Sequence, residues 1–258
     1  MRFMTSSDSH PPSGLNGAVQ AHLAQNNARV SRLEHQGAFY WVKREEGLSL
    51  RMRLQKGNAA SSFETERQAL HQLNALNAAV PEIIAEGPGY FVLSDSGDNL
   101  QHLLQSPEKS LKDRMPAFVA AGDALAQLHT KNISHGRPAI RDFCWKDSKI
   151  TLLDFERFAP KRNTKKGHMQ DLLIFAHSAL ASRQGITPEL SIALETYRAQ
   201  NPHGTWERAV DYCDRMRWVD WLTKPIQWRK PGKAKEFKAI PMVFDLFAGR
   251  DVVQATGL

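Results

Sequence analysis

Cysteine is scarce in this chain of 258 residues: there are two, Cys144 and Cys213. They form no metal-type pair and no disulfide framework, which fits a reducing compartment. Long apolar runs are missing as well. A spanning helix needs ~20 apolar residues, and the longest candidate, Leu172 to Ala181, is shorter and contains His177. No transmembrane segment is expected. The opening MRFMTSSDSHPPSG has one Arg, no apolar core and no cleavage-type site, so residues 1–14 read as a flexible leader and not as a secretory signal. No internal repeat or heptad array is present. GxSxG, HExxH and His–Cys pairs at metal spacing are absent, which removes the motif-borne hydrolase and zinc chemistries.

Acidic excess is also absent. The net charge is +7 and the pI is near 9.5. A basic surface favours phosphates, nucleic acid or an anionic membrane surface without choosing among them. Hydrophobic residues make up 41% and charged residues 24%, the composition of a globular chain long enough to bury a sizeable core.

The first half of the chain mixes strand-like runs with one clear helix. Val30–Leu33 and Phe39–Lys43 read as strands joined across His35-Gln36-Gly37, the second strengthened by Phe39-Tyr40-Trp41-Val42. Alternation puts Phe39, Trp41 and Lys43 on one face. A loose basic connector runs from Arg44 to Asn58. Ser61-Ser62-Phe63-Glu64 has capping-box spacing, and the following helix places Phe63, Leu70 and Leu73 on one stripe. Ile83–Glu86 and Tyr90–Ser94 flank Gly87-Pro88-Gly89 as a hairpin. Asp95-Ser96-Gly97-Asp98 then breaks the chain. The second half reads as mostly helical. Met115–His129 is helical, Ile150–Leu153 is a short strand ending at Asp154, and Asp171 opens a helix. Thr187-Pro188 caps another, and Thr205 starts a further one carrying Trp206, Trp218 and Trp221.

Four positions carry chemistry. Lys43 ends an apolar strand; a lysine there can simply lay its stem on apolar surface. Glu66 sits on the apolar stripe of its helix, where a carboxylate is expensive unless paired. Lys43 is its natural partner, with or without a ligand. The third position is the stretch His135-Gly136-Arg137-Pro138-Ala139-Ile140-Arg141-Asp142. The fourth is Ile150-Thr151-Leu152-Leu153-Asp154-Phe155-Glu156. An acid just past a buried strand, with another twelve residues earlier, suits Mg²⁺, which takes oxygen ligands and keeps waters. Two ordinary loop aspartates are the plain alternative.

Taken in order, GAFYWVK, FETERQAL, the hairpin, the His-Gly-x loop and ITLLDFE resemble the protein-kinase-like superfamily. The flavour is similar to the bacterial lipopolysaccharide (Kdo and heptose) kinases and to the aminoglycoside/choline phosphotransferases. The resemblance runs from Val30 to Phe175, with looser helical agreement to about residue 225. It implies an α+β, two-lobed fold. Residues 15–96 would form a small ATP-binding lobe with an antiparallel sheet, residues 97–258 a helical lobe, and the ligand cleft would lie between them. Carried over by position, Lys43 would hold the α- and β-phosphates of ATP and be fixed by Glu66. Asp154 would bind Mg²⁺, and Asp142 stands where the family has a metal-binding Asn. Backbone groups from Ser94 to Gly97 would meet adenine. Asp171 would prop the catalytic loop.

Two departures stand out. GxGxxG is missing, with only Gly37 in a short turn. Arg137 occupies the place of the Asp in His-Gly-Asp or His-Arg-Asp. Arginine cannot be a base, because its pKa exceeds ~12, but it can neutralise charge on a transferred phosphoryl group. The resemblance therefore implies an ATP- and Mg²⁺-dependent phosphotransferase acting on a hydroxyl acceptor, a sugar or a lipopolysaccharide-type glycolipid. Catalytic roles would fall to Arg137, Asp142 and Asp154. The alternatives are a catalytically impaired pseudokinase that binds nucleotide or a regulatory partner, and a protein Ser/Thr kinase.

Arg157, Lys161, Arg162, Lys165 and Lys166 crowd the segment after Asp154. They suit an anionic small-molecule or glycolipid acceptor, or else form a solvated mobile loop. Lys224, Arg229, Lys230, Lys233, Lys235 and Lys238 interleave with Trp218, Trp221, Trp228 and Phe237. That mixture matches peripheral contact with anionic lipid headgroups. Core tryptophans beside an exposed basic loop are the simpler reading. No RNA-binding motif accompanies it, so nucleic acid is not expected. The expected location is cytoplasmic, with the inner membrane surface as the place of any peripheral contact.

Overall fold

The computed structural model describes residues 12–45, 59–183, 185–230 and 234–249. The expected leader and the Arg44–Asn58 connector fall almost wholly outside the described residues. The chain separates into two compact units, Met1–Asp95 and Ser96–Leu258.

The first unit is built on a four-stranded antiparallel sheet in the order β1-β2-β4-β3, with β1 Val30–His35, β2 Ala38–Arg44, β3 Ile83–Gly87 and β4 Tyr90–Ser94. Gln36 and Gly37 both take positive φ, the two-residue turn whose twist matches the strands it joins. Helix α1 (Leu15–Gln25) lays the i, i+4 pair Leu15 and Val19 on one face of the sheet, against Leu33, Val42 and Val92. So sparse an apolar stripe left this helix unread in the sequence. Arg44 finishes it by donating to the carbonyls of Leu23 and Asn26. Helix α2 (Ala59–Ala75) buries Leu70 and Leu73, and its Phe63 packs on Phe91, ring centroids 5.0 Å apart. Each such buried side chain contributes roughly 1.5–3 kcal/mol. Ser61 and Ser62 lie inside α2, so the expected capping box does not start the helix.

The second unit is mainly helical. A small antiparallel sheet, β5 Asp98–Asn99, β6 Phe143–Lys146 and β7 Lys149–Leu152, is ordered β5-β6-β7. Gly97, at φ +79°, leads into it; a Cβ there would lie 2.4 Å from the Trp145 carbonyl oxygen, so only glycine fits. A short helix α3 (Leu100–Gln105) precedes α4 (Leu111–Thr130). Ser110 and Asp113 form a reciprocal capping box for α4, one turn before the expected start. Helices α5 (Lys165–Arg183), α6 (Pro188–Gln200), α7 (Thr205–Arg215), α8 (Trp218–Gln227) and α9 (Lys235–Phe247) follow. Thr187 caps α6, accepting from Leu190 N at 3.2 Å, as its sequence implies. Two expectations change. Asp171 lies within α5 and does not open it. The stretch after Thr205 is two helices: Trp206 packs inward on Phe247 at 4.9 Å, while Trp218 and Trp221 sit exposed on α8. No helix among the described residues is long and apolar enough to cross a membrane.

Candidate functional site

In the first unit, β2 turns Val42 toward α1 and Lys43 to the opposite face. Lys43 is paired across the ladder with Phe91. There its ammonium meets Glu66, from the buried stripe of α2. Glu66 is 3% exposed, so the ammonium is what makes its burial tolerable. Lys43 also lies 6.0 Å from the centre of the Phe91 ring, and its side chain keeps 23% exposure. Its head is therefore held but not sealed. Ser94 ends β4, its amide donating to the Glu82 carbonyl and its hydroxyl accepting from the Glu82 amide. Trp41 Nε1 donates to Asp95 at 3.1 Å.

In the second unit, the loop after α4 is fastened from below. Asp171, buried in α5, accepts from the His135 amide at 2.7 Å and from the Gly136 amide at 2.9 Å. Burial pushes its carboxyl up to about 6, and the neighbouring His135 ring and the two amides oppose that rise. His135 is a strut: its Nε2 pairs with the Leu153 carbonyl at 2.8 Å, and its ring lies 4.4 Å from that of Phe155. The loop is thereby tied to the end of β7. Gly136 takes φ +96°, and a Cβ would approach the Arg157 carbonyl oxygen to 2.9 Å. Arg137 follows with an exposed side chain.

Asp142 ends a single 3₁₀ turn, Ile140–Asp142. Its carboxylate accepts from the Ala139 amide at 2.9 Å, and its carbonyl accepts from the Leu153 amide at 2.7 Å. The second bond brings it beside Asp154, which adopts the left-handed conformation at φ 64°. Burial, and then the charge of Asp154, push the Asp142 carboxyl up to about 6; Arg141 and Arg137 pull the other way. Two neighbouring acids, one of them costly to ionise, suit a divalent cation that keeps part of its water shell. Mg²⁺ would be held by Asp154 and Asp142 and would supply charge neutralisation for a phosphate. Among the described residues, no group of three or more His, Cys, Asp or Glu side chains is placed to hold a metal.

Beside this loop the second unit has a cavity of about 640 Å³, within the range of small-ligand sites. Ser134, Gly136, Arg157 and Arg162 line one side, and Met216, Val219, Ile240, Val243 and Phe244 the other. The basic stretch after Asp154 is pinned. Ser134 Oγ donates to the Arg162 carbonyl at 2.7 Å, and the Ser134 amide donates to Asn163 at 2.9 Å. These bonds hold the backbone at Arg162 and Asn163, while the exposed Arg157 and Arg162 line the cavity. The apolar wall comes from helices whose sequences carried no signal of a shared site.

Behind the loop lies a cluster that sequence reasoning missed. The His129 and His168 rings stack at 4.5 Å and those of His168 and His203 at 5.8 Å, while His129 Nδ1 pairs with the Tyr197 hydroxyl at 2.7 Å. Burial pushes His129 down to about 3 and His168 down to about 4, so both are neutral near pH 7. His129 Nε2 lies 3.5 Å from Asp171 Oδ2, so the stack abuts the acid that fastens the loop. The residues are spread over positions 129–203 at no recognisable spacing.

No family model matches the chain. A protein of Haemophilus influenzae described as an uncharacterized protein is 30% identical over 221 residues, covering 85% of this chain and 89% of that one. Among solved structures, a co-crystal structure of WbdD with a kinase inhibitor aligns with a TM-score of 0.44 at 15% identity, over 68% of this chain. The chain spans 44% of the length of that one. At 30% identity over nearly the whole of both chains, the protein belongs to the same family as the Haemophilus influenzae protein.

Proposed function

We propose that the protein is an ATP- and Mg²⁺-dependent phosphotransferase acting on a hydroxyl of a sugar or sugar-bearing lipid. The observation that carries this reading is the Asp142–Asp154 carboxylate pair, set beside an exposed Arg137 on a loop fastened by Asp171. The half-buried Lys43–Glu66 pair supports it, as does the motif order that resembles the kinase-like superfamily.

Phosphoryl transfer depends mainly on positioning and on neutralising charge. In this reading Lys43 is a phosphate-binding ammonium oriented by Glu66, and Ser94 and Gly97 serve the adenine. Asp142 and Asp154 are the Mg²⁺ ligands, and Arg137 is a cation for the transferred group. The acceptor lies in the 640 Å³ cavity, an anionic substituent toward Arg157 and Arg162 and its less polar part against Met216, Val219 and Phe244. ATP places the activity on the cytoplasmic side.

The test is thermal melting with and without ATP and Mg²⁺, on the wild type and on Asp154→Ala, followed by γ-phosphate transfer to core oligosaccharide, to small sugars and to the protein itself. Stabilisation by ATP·Mg²⁺ that Asp154→Ala loses, together with transfer, is the expected result. Absence of any nucleotide effect rejects the reading.

Arg137 itself favours a second reading, a pseudokinase, because no carboxylate stands at its position. A base contributes roughly 10²–10⁴-fold, so its loss slows transfer without forbidding it. The pseudokinase reading expects nucleotide-dependent melting without transfer, and no activity sensitive to Arg137→Asp.

A further inference from the structure

Helix α8 has two apolar stripes. The inner one is Val219, Thr223 and Ile226, with Val219 in the cavity wall and Thr223 buried. The outer one is Trp218, Trp221, Leu222 and Pro225 at i, i+3, i+4 and i+7, continued by Trp228 just past the helix end. All of these are exposed: Trp218 57%, Trp221 74%, Leu222 58% and Trp228 80%. A helical stripe of indoles turned to water is unlike the scattered apolar residues of ordinary surfaces. It also corrects the simpler sequence reading, in which these tryptophans were core.

Cations edge the stripe. Lys224 lies beside it on α8, and Arg229 and Lys230 follow Trp228. Lys238 donates to the Lys230 carbonyl at 3.2 Å, which ties the start of α9, with Lys235 and a Phe237 that is also exposed, to the same region. Two nearby acids are engaged elsewhere: Asp220 accepts from Gln227, and Asp214 faces Arg217. Among the described residues, Glu236 is the one exposed acid of α9's first turn.

We infer that this face docks on an anionic lipid bilayer, its indoles and Leu222 at the headgroup–acyl boundary and its lysines and arginines on lipid phosphates. Indole combines a large apolar face with an N–H that prefers a wet edge, which is the chemistry of the bilayer interface. A second copy of the chain fits less well. A two-fold contact would bring one cation-edged face against another, and like charges across an interface repel. The inference stands independently of the phosphotransferase reading, since it uses no residue assigned to nucleotide, metal or phosphoryl transfer.

The test is flotation of the full chain with phosphatidylcholine vesicles and with phosphatidylcholine–phosphatidylserine vesicles. It compares the wild type, Trp221→Gln/Trp228→Gln and Lys224→Gln/Lys230→Gln, with circular dichroism and ATP·Mg²⁺ melting run alongside. The wild type should float with the anionic vesicles alone. Removing an indole should weaken partitioning roughly tenfold, and removing a cation roughly fivefold, with fold and nucleotide response unchanged. A wild type that does not float overturns the inference, and so does a tryptophan variant that floats equally well. A dimer that Trp221→Gln/Trp228→Gln dissociates, with no vesicle binding, assigns the face to a second copy instead.

Discussion

Breaking the Lys43–Glu66 pair one partner at a time should give unequal costs. Removing one member of a wholly buried pair costs about 3–5 kcal/mol, because a charge is left without a counter-ion. Glu66 is the sealed partner, at 4% side-chain exposure against 23% for Lys43. Lys43→Met therefore strands the carboxylate and should cost about 3 kcal/mol, at the lower end because some solvent reaches the site through the lysine. Glu66→Leu leaves an ammonium that can swing toward water on its flexible stem, and should cost about 1 kcal/mol. The double variant replaces two charges by packed apolar groups, which is near neutral when volume is kept. For a chain of this size each kcal/mol moves the melting temperature by roughly 2–4 °C. The assay is a double-mutant cycle by thermal melting, repeated with ATP and Mg²⁺. The expected pattern is a large loss for Lys43→Met, a small one for Glu66→Leu and recovery in the double. The double should also have lost its stabilisation by nucleotide. Additive losses would show that the two residues are not coupled. A double variant with full nucleotide response would make the pair a structural fastening without a phosphate role.

The buried histidines make the second unit acid-sensitive. His129 and His168 have folded pKa values pushed below the ordinary 6.5, to about 3 and about 4. Their contribution is complete above pH 6.5 and is lost as pH falls toward those values. Asp142 and Asp171, raised to about 6, act in the opposite direction between about 4 and 6, but by less. Melting temperature should therefore drop between pH 7 and pH 5, and His168→Leu should flatten the drop; an equally steep profile in that variant refutes the assignment. Gly136→Ala must place a Cβ 2.9 Å from the Arg157 carbonyl oxygen at φ +96°, costing about 1–3 kcal/mol by thermal melting. An unchanged melting temperature would contradict the packing described. Arg157→Ala/Arg162→Ala should weaken binding of a sugar phosphate at least tenfold by calorimetry without lowering the melting temperature; unaltered affinity would remove the cavity from the acceptor reading.

Local patterns were legible where short-range chemistry decides the outcome. Both hairpins of the first unit follow from β-branched and aromatic runs around Gln36-Gly37 and Pro88-Gly89. The pairing of Lys43 with Glu66 follows from a carboxylate on an apolar stripe that needed an ammonium. Thr187-Pro188 marks a helix start because both residues act within one turn. The Asp171 fork was not legible in its geometry, since a mid-helix acid reaches back thirty-six and thirty-five residues to two amides. Nor was the histidine stack, which packing assembles from distant segments. The outer stripe of α8 was present in the spacing of Trp218, Trp221, Leu222 and Pro225. Its facing was not legible: Val219, Thr223 and Ile226 repeat with the same period, and periodicity alone does not say which stripe meets water.

The pinned segment beside the cavity has a consequence for how the protein meets proteases. Arg157, Lys161, Arg162, Lys165 and Lys166 offer trypsin five cleavage points within ten residues, yet cleavage requires backbone that can be drawn out straight. Here the amides of Phe158, Arg162, Asn163 and Thr164 are already committed to carbonyls one turn or less behind them, and Ser134 grips the chain from the side. A stretch that on paper invites digestion should outlast less basic parts of the same polypeptide.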